Sequence, residues 1–215
     1  MNSDANDNRP QKFDGIDPQA AADEFRAILA ASGEGEGIVA QLGALIHWAE
    51  KTGRKADSSF DLSRARLGGL EHYVWMDEPE RVVRKFTYGG CFGRTVRSIE
   101  QGLVPATPLE YLIRWSNHNA LFAPITQVTG ILEASRDGLA LLIEQDALLG
   151  DLPSEKEVEE SMQSAGYRPL ADHHFAWENR QIGFSLFDAR PANFVNVSGA
   201  PVPFDLIVVP LENLR

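Results

Sequence analysis

Two short stretches decide how the fold is interpreted: Phe187-Asp-Ala-Arg-Pro-Ala-Asn193 and, ten residues later, Pro203-Phe-Asp-Leu206. Their polar members Asp188, Asn193 and Asp205 are separated by a short strand-like run and a turn. A loop followed by a β-hairpin can bring oxygen donors from its two ends together around hard Mg²⁺ ions. Asp, Pro and Asn are also common loop residues, so an Asx-turn without chemical function is the competing interpretation.

The upstream half of the chain contains the residue types that a nucleotide-binding lobe requires. Gly68 and Gly69 precede the first strand of a predicted pair, Lys85 lies on the second strand, and Glu110 begins the long helix that follows. Lys85 and Glu110 each have a structural alternative. A lysine near a strand end usually points into water, and Glu110 could be a first-turn carboxylate stabilised by the helix dipole, with Glu133 as a substitute partner.

Hydrophobic periodicity and turn signals predict an α+β fold. Two amphipathic helices come first, one capped by Asp17 and ending at Gly33, the other ending at Gly53. The capping box Ser154 to Glu157 opens a later acidic helix. Strands are expected at 70–76, 81–87, 125–132, 139–145, 175–178, 182–187, 194–197 and 203–209, with the long helix at 109–122. The chain thus divides into a loose tail at 1–16, a helical extension at 17–60 and a main domain at 61–215.

Composition excludes several classes of partner. The formal net charge of -11 leaves no broad basic surface for nucleic acid or anionic lipid. The only cysteine is Cys91, so neither an internal disulfide nor a thiolate pair for zinc can form. The N-terminal residues lack the pattern of a signal peptide and no long apolar run follows, which predicts a cytoplasmic protein.

Five short stretches, in this order, resemble the protein-kinase-like superfamily, and most closely the small kinase domains of bacterial and phage polyvalent proteins. They are Gly-Leu-Glu-His-Tyr-Val-Trp (69–75), Arg-Lys-Phe-Thr (84–87), Pro-Leu-Glu-Tyr-Leu-Ile-Arg-Trp (108–115), Asp-Ala-Arg-Pro-Ala-Asn-Phe-Val (188–195) and Pro-Phe-Asp-Leu-Ile-Val (203–208). The resemblance implies a minimal kinase-like fold. An antiparallel N-lobe sheet with one long helix would span about 61–146, and a truncated C-lobe with β-hairpins would span about 147–215.

The resemblance also implies ATP and Mg²⁺ as ligands and assigns roles to individual residues. Lys85 would contact the α- and β-phosphates, with Glu110 as its ion-pair partner. Asp188 would be the catalytic base, and Asn193 and Asp205 would bind the metal.

Further nucleotide contacts follow from the same resemblance. Gly68 and Gly69 would cover the phosphates, in a turn shorter than the usual glycine-rich loop. The backbone of Glu144, Gln145 and Asp146 would form the hinge that reads adenine.

Arg190 is the remaining candidate, two residues after the predicted base. It would either neutralise the transferring phosphoryl group or pair with a nearby carboxylate.

Departures from the family pattern keep alternatives open. Phe187 stands where the family has histidine, and Asp205 is followed by Leu206 and Ile207 in place of Phe-Gly. The leading expectation is a phosphotransferase that acts on an unknown hydroxyl acceptor, either a protein or a small molecule. The alternative is an inactive pseudokinase that binds nucleotide or protein. A small-molecule kinase of the aminoglycoside type would normally need a larger C-terminal lobe.

Overall fold

The computed structural model describes residues 14–33, 35–56, 65–77, 81–123, 125–134 and 138–214. Residues 1–13 of the predicted tail lie outside these ranges. Within them the fold is mixed α+β, as the sequence predicts. The helices are α1 (Pro18–Ser32), α2 (Ile38–Thr52), α3 (Pro108–Leu121) and α4 (Glu155–Ser164). None of these helices is both long enough and apolar enough to span a bilayer.

The strands form one large sheet and three smaller ones within the described ranges. The large sheet contains β1 (Lys55–Ala56), β2 (Arg66–Gly68), β3 (His72–Asp77), β4 (Val82–Thr87), β7 (Thr126–Ala134) and β8 (Gly138–Asp146). The others contain β5 (Arg94–Val96), β6 (Leu103–Pro105), β9 (Arg168–Pro169), β10 (Trp177–Asn179), β11 (Phe184–Phe187), β12 (Phe194–Val197), β13 (Ala200–Pro203) and β14 (Ile207–Pro210).

The large sheet has the strand order β1-β7-β8-β4-β3-β2. All neighbouring strands are antiparallel except β1 and β7, which are parallel. Strand β8 therefore lies in the interior of the sheet, between β4 and β7. A second sheet has the order β14-β11-β10-β9, and β12-β13 and β5-β6 are separate hairpins.

Local capping signals begin and end the helices as the sequence predicts. The Asp17 carboxylate accepts the first free N–H groups of α1, and Gly33 and Gly53 end α1 and α2 in the left-handed conformation. The box formed by Ser154 and Glu157 caps α4.

The N-terminal helices share the main hydrophobic core with the large sheet. Phe25 on α1 and Trp48 on α2 are fully buried in the same cluster as Trp115 on α3 and Ile131 on β7. Ile16, at the end of the predicted tail, exchanges backbone hydrogen bonds with Val128. The predicted boundary near residue 60 therefore does not separate two hydrophobic cores.

The single strand predicted at 203–209 is wrong, since the structure divides it. Strand β13 pairs with β12, whereas β14 pairs with β11, so the chain must change sheet between them. The change occurs through a bend at Phe204 and Asp205. This bend places Asp205 outside any strand, facing the large sheet.

Candidate active site

A cavity of about 740 Å³ lies between the large sheet and the segment from Asp188 to Asp205. Its volume is typical of a small-molecule site. Most of the predicted site residues line it: Gly68, Gly69, Lys85, Gln145, Asp146, Asp188, Arg190, Asn193 and Asp205. Apolar side chains of Val74, Met76, Val83 and Leu148 line the same cavity. Glu110 and Glu144 are the two predicted residues that do not.

A chain of ion pairs centred on Asp205 lies in the wall of the cavity. Lys85 Nζ lies 3.3 Å from Asp205 Oδ2, and Arg114 Nη2 lies 2.8 Å from Asp205 Oδ1. Arg114 Nη1 also lies 2.6 Å from Glu71 Oε2. The Lys85 and Arg114 side chains are each only 3% exposed. Two buried cations therefore share one carboxylate.

Burial and these ion pairs shift the pKa values of Lys85, Asp205 and Arg114. Burial lowers the pKa of Lys85, although Asp205 opposes the shift. Burial alone would raise the pKa of Asp205, but Lys85 and Arg114 outweigh it and hold that pKa well below its usual range. Burial alone would lower the pKa of Arg114, and Glu71 and Asp205 reverse the effect and raise it. The Asp205 carboxylate is thus held in the ionised form.

The backbone carbonyl of Phe204 links the large sheet to the bend that contains Asp205. It accepts hydrogen bonds from Lys85 Nζ at 3.3 Å and from Gln145 Nε2 at 3.2 Å. Gln145 also donates to Thr126 Oγ1 at 2.7 Å. Side chains from β4 and β8 therefore fix the position of the bend.

Asp188 lies in a tight loop after β11. Its backbone has the left-handed φ of 57°, which aspartate tolerates better than most residues. Asn193 Nδ2 donates to the Asp188 carbonyl at 2.7 Å and to Asp188 Oδ2 at 2.9 Å. Arg190 Nε lies 3.1 Å from Asp188 Oδ1. Both carboxylate oxygens thus have partners, and Arg190 forms the carboxylate pair that was one of its two expected roles.

The loop and the bend are joined directly, because the Phe204 N–H donates to the Asn193 carbonyl at 3.0 Å. This bond closes the open end of the β12-β13 hairpin. The sequence-based expectation that a hairpin presents Asp188, Asn193 and Asp205 from its two ends agrees with this geometry.

The expected pair between Lys85 and Glu110 is wrong. Glu110 is the third residue of α3 and closes a capping box with Thr107, whose N–H donates to the Glu110 carboxylate at 2.7 Å. Its carboxylate is also bound by Arg97, with Nε at 2.7 Å and Nη2 at 2.9 Å. The substitute, Glu133, pairs with Lys55 at 2.9 Å. The Glu110 carboxylate caps α3 and binds Arg97, so it is not available to Lys85.

The prediction that the backbone of Glu144 and Gln145 forms an adenine-binding hinge is also wrong. Glu144 pairs with strands on both sides, and so does Gln145, so their peptide groups belong to the sheet ladders. The Glu144 side chain binds Arg84 at 2.9 Å, away from the cavity. Gln145 contributes its side chain instead. Backbone free of the ladder on both sides is reached only after Asp146, where Leu148 lines the cavity.

Sequence reasoning missed Arg114, Glu71 and Arg94, which all line the cavity. Arg114 lies one helical turn after Glu110, so the i, i+4 spacing was the available signal. Glu71 lies two residues after Gly69. Neither residue stands out without the tertiary contacts, because charged residues at such positions are usually solvated.

The oxygen donors of the site fit a hard divalent cation. Asp188 and Asp205 offer carboxylates, and Asn193 keeps its amide oxygen as an acceptor because its nitrogen is the group that binds Asp188. A second grouping is less suitable. Ligand atoms of Glu71, His72 and Asp205 lie within 4.8 Å of one another. Arg114 binds two members of this grouping, Glu71 and Asp205, whereas it binds only Asp205 of the first grouping, so its charge opposes a metal ion more strongly here.

Comparisons with family models, with curated proteins and with solved structures found no match to this chain.

Proposed function

We propose that this chain binds ATP with Mg²⁺ and acts as a kinase-like phosphotransferase on a hydroxyl acceptor. One observation carries the proposal: Lys85, Asp188, Asn193 and Asp205 line a single cavity with a glycine turn at its edge. Separate parts of the chain supply these residues, so chance similarity of one loop does not account for their meeting.

Each residue has a task suited to its chemistry. Lys85 binds the α- and β-phosphates, and it can leave Asp205 because Arg114 continues to neutralise that carboxylate. Asn193 and Asp205 hold Mg²⁺, which offsets charge on the β- and γ-phosphates when bound. Arg190 lies at the cavity next to Asp188 and offsets charge on the transferring group.

Asp188 accepts the proton of the acceptor. As the acceptor oxygen bonds to the γ-phosphorus, the bond to the β–γ bridging oxygen breaks and ADP leaves. The hydroxyl proton passes to the Asp188 carboxylate. For this step Asp188 Oδ1 must exchange Arg190 for the hydroxyl, and the 47% exposure of the Arg190 side chain permits that movement.

A second candidate is a pseudokinase that binds nucleotide or a protein without turnover. The observation that favours it is that both Asp188 oxygens are bound by Arg190 and Asn193. Phe187 in place of the family histidine agrees with it. Nucleotide binding without ADP formation, unchanged in Asp188→Ala, is the result expected of a pseudokinase.

The first prediction concerns Lys85→Met. This change keeps the length and packing of the side chain and leaves Asp205 paired with Arg114. Calorimetric titration of ATP with Mg²⁺ should give affinity at least about tenfold weaker than wild type, because one charge-assisted contact to phosphate is lost. Lys156→Met is the matched control, since that side chain is 81% exposed. Equal affinity in Lys85→Met and wild type would contradict the proposal.

A further inference from the structure

The charged side chains that line the cavity are not evenly paired. Lys85 and Arg114 share Asp205, and Arg190 pairs with Asp188. Arg94 lines the same cavity, and its guanidinium has no hydrogen-bond or carboxylate partner among the described residues. In a chain with a net charge of -11, an unpaired cation in a cavity is an unusual feature.

The backbone holds Arg94 beside the ion-pair chain. Arg114 Nη1 approaches the Arg94 carbonyl at 3.5 Å. At the preceding residue, Gly93 has φ of 71°, and a Cβ there would lie 3.2 Å from Glu71 Oε2. Residues 93 and 94 therefore abut Glu71 and Arg114, which form the end of the ion-pair chain away from Lys85.

Its contacts place Arg94 beside Glu71, and the register of the large sheet places an unpaired carboxylate at the other end of β3. Asp146 lies opposite Val82 at the start of β4, which is the end of β3 farthest from Glu71. Asp146 lines the cavity and has no cationic partner within the described part of the chain. An elongated anion is therefore favoured with its most negative group toward Arg94.

We propose that Arg94 binds the terminal phosphate of the bound nucleoside triphosphate and makes the site prefer triphosphate over diphosphate. The inference rests on the proposed function. A phosphate chain that begins at Lys85 and passes Asp205 reaches the Arg114 side of the cavity next, where Arg94 lies. Arginine suits this task because its planar fork matches two phosphate oxygens.

The Arg94 guanidinium could instead bind an anionic group on the acceptor. Nucleotide affinities distinguish this ligand from the terminal phosphate. Calorimetry with Mg²⁺ would measure the dissociation constants of ADP and of a non-hydrolysable ATP analogue. The proteins are wild type, Arg94→Met and Arg94→Lys, with Arg180→Met as the matched control. Arg180 is 82% exposed on the turn after β10 and does not line the cavity.

In Arg94→Met, the ATP analogue should bind about tenfold more weakly while ADP affinity stays unchanged. Arg94→Lys should fall between wild type and Arg94→Met, and Arg180→Met should match wild type. An unchanged ratio of the two affinities in Arg94→Met, with wild-type binding intact, would overturn this inference alone and leave an anionic acceptor group. Failure of wild type to bind either nucleotide would overturn it together with the proposed function.

Discussion

Replacing Asp205 with asparagine should lower the free energy of unfolding by about 3 kcal/mol, because two buried cations lose their shared counterion. Arg114 would still pair with Glu71, but Lys85 would retain only neutral partners, the Phe204 carbonyl and the new asparagine amide. Urea unfolding at pH 7 measures the difference. Asp151→Asn, at an exposed position, is the control and should unfold like wild type.

Acid should remove this difference between wild type and Asp205→Asn. The pKa of Asp205 is depressed in the folded protein, so its contribution is complete above the unfolded aspartate pKa of about 4. The contribution begins to fall as pH drops below that value and is gone only below the depressed pKa of the folded protein. The difference in free energy of unfolding between the two proteins should therefore begin to shrink between pH 5 and pH 3. A gap that stays constant over this range would show that Asp205 stabilises the fold by some means other than its charge.

Wild type should already lose stability between pH 7 and pH 5, by about 2 kcal/mol for each of two buried histidines. Burial lowers the pKa of His72 and of His118 from 6.5 to about 3. For His118, Lys85 and Arg114 act in the same direction as burial and Asp205 opposes them. Below pH 6.5 the two histidines take up protons in the unfolded chain but stay neutral in the folded chain, so acid favours unfolding.

His118→Leu tests one of the two equal contributions to this effect. Both ring nitrogens of His118 are buried and lack a hydrogen-bond partner within the described residues, whereas His72 Nε2 lies 2.9 Å from the Tyr111 hydroxyl. Removing an unpartnered polar ring should be neutral or stabilising at pH 7 and should remove about half of the loss on going to pH 5. Chemical unfolding at both pH values measures it, with the exposed His174→Leu as control. A pH dependence identical to wild type would contradict the assignment.

Elements with local signals could be predicted from the sequence. Asp17 and Ser154 cap helices through contacts within four residues of chain, and Gly33 ends α1 by its own backbone conformation. The spacing of Asp188 and Asn193 likewise fixes a short loop, and the side chain of one binds the other. These interactions depend on residues close together in the chain, so the local sequence pattern is enough to predict them.

Features decided by distant partners could not be predicted. Glu110 has two possible tasks, and the choice between capping and pairing with Lys85 depends on where Arg97 lies. The bend at Asp205 exists because successive strands join different sheets. The role of Arg114 depends on Glu71, which lies 43 residues away in sequence. No local pattern distinguishes these outcomes.

The two-residue strand β1 protects the protein against self-association. It covers the outer side of β7 at Ile131 and Leu132, and Gly130 lets the Arg54 carbonyl approach to accept from the Ile131 N–H at 2.9 Å. Without this cover, β7 would be a long apolar edge with unpaired peptide groups, a template for intermolecular strand addition. A chain shortened to begin after residue 56 would expose this edge together with the core surface that α1 and α2 cover, so it would be expected to self-associate into aggregates that light scattering would detect.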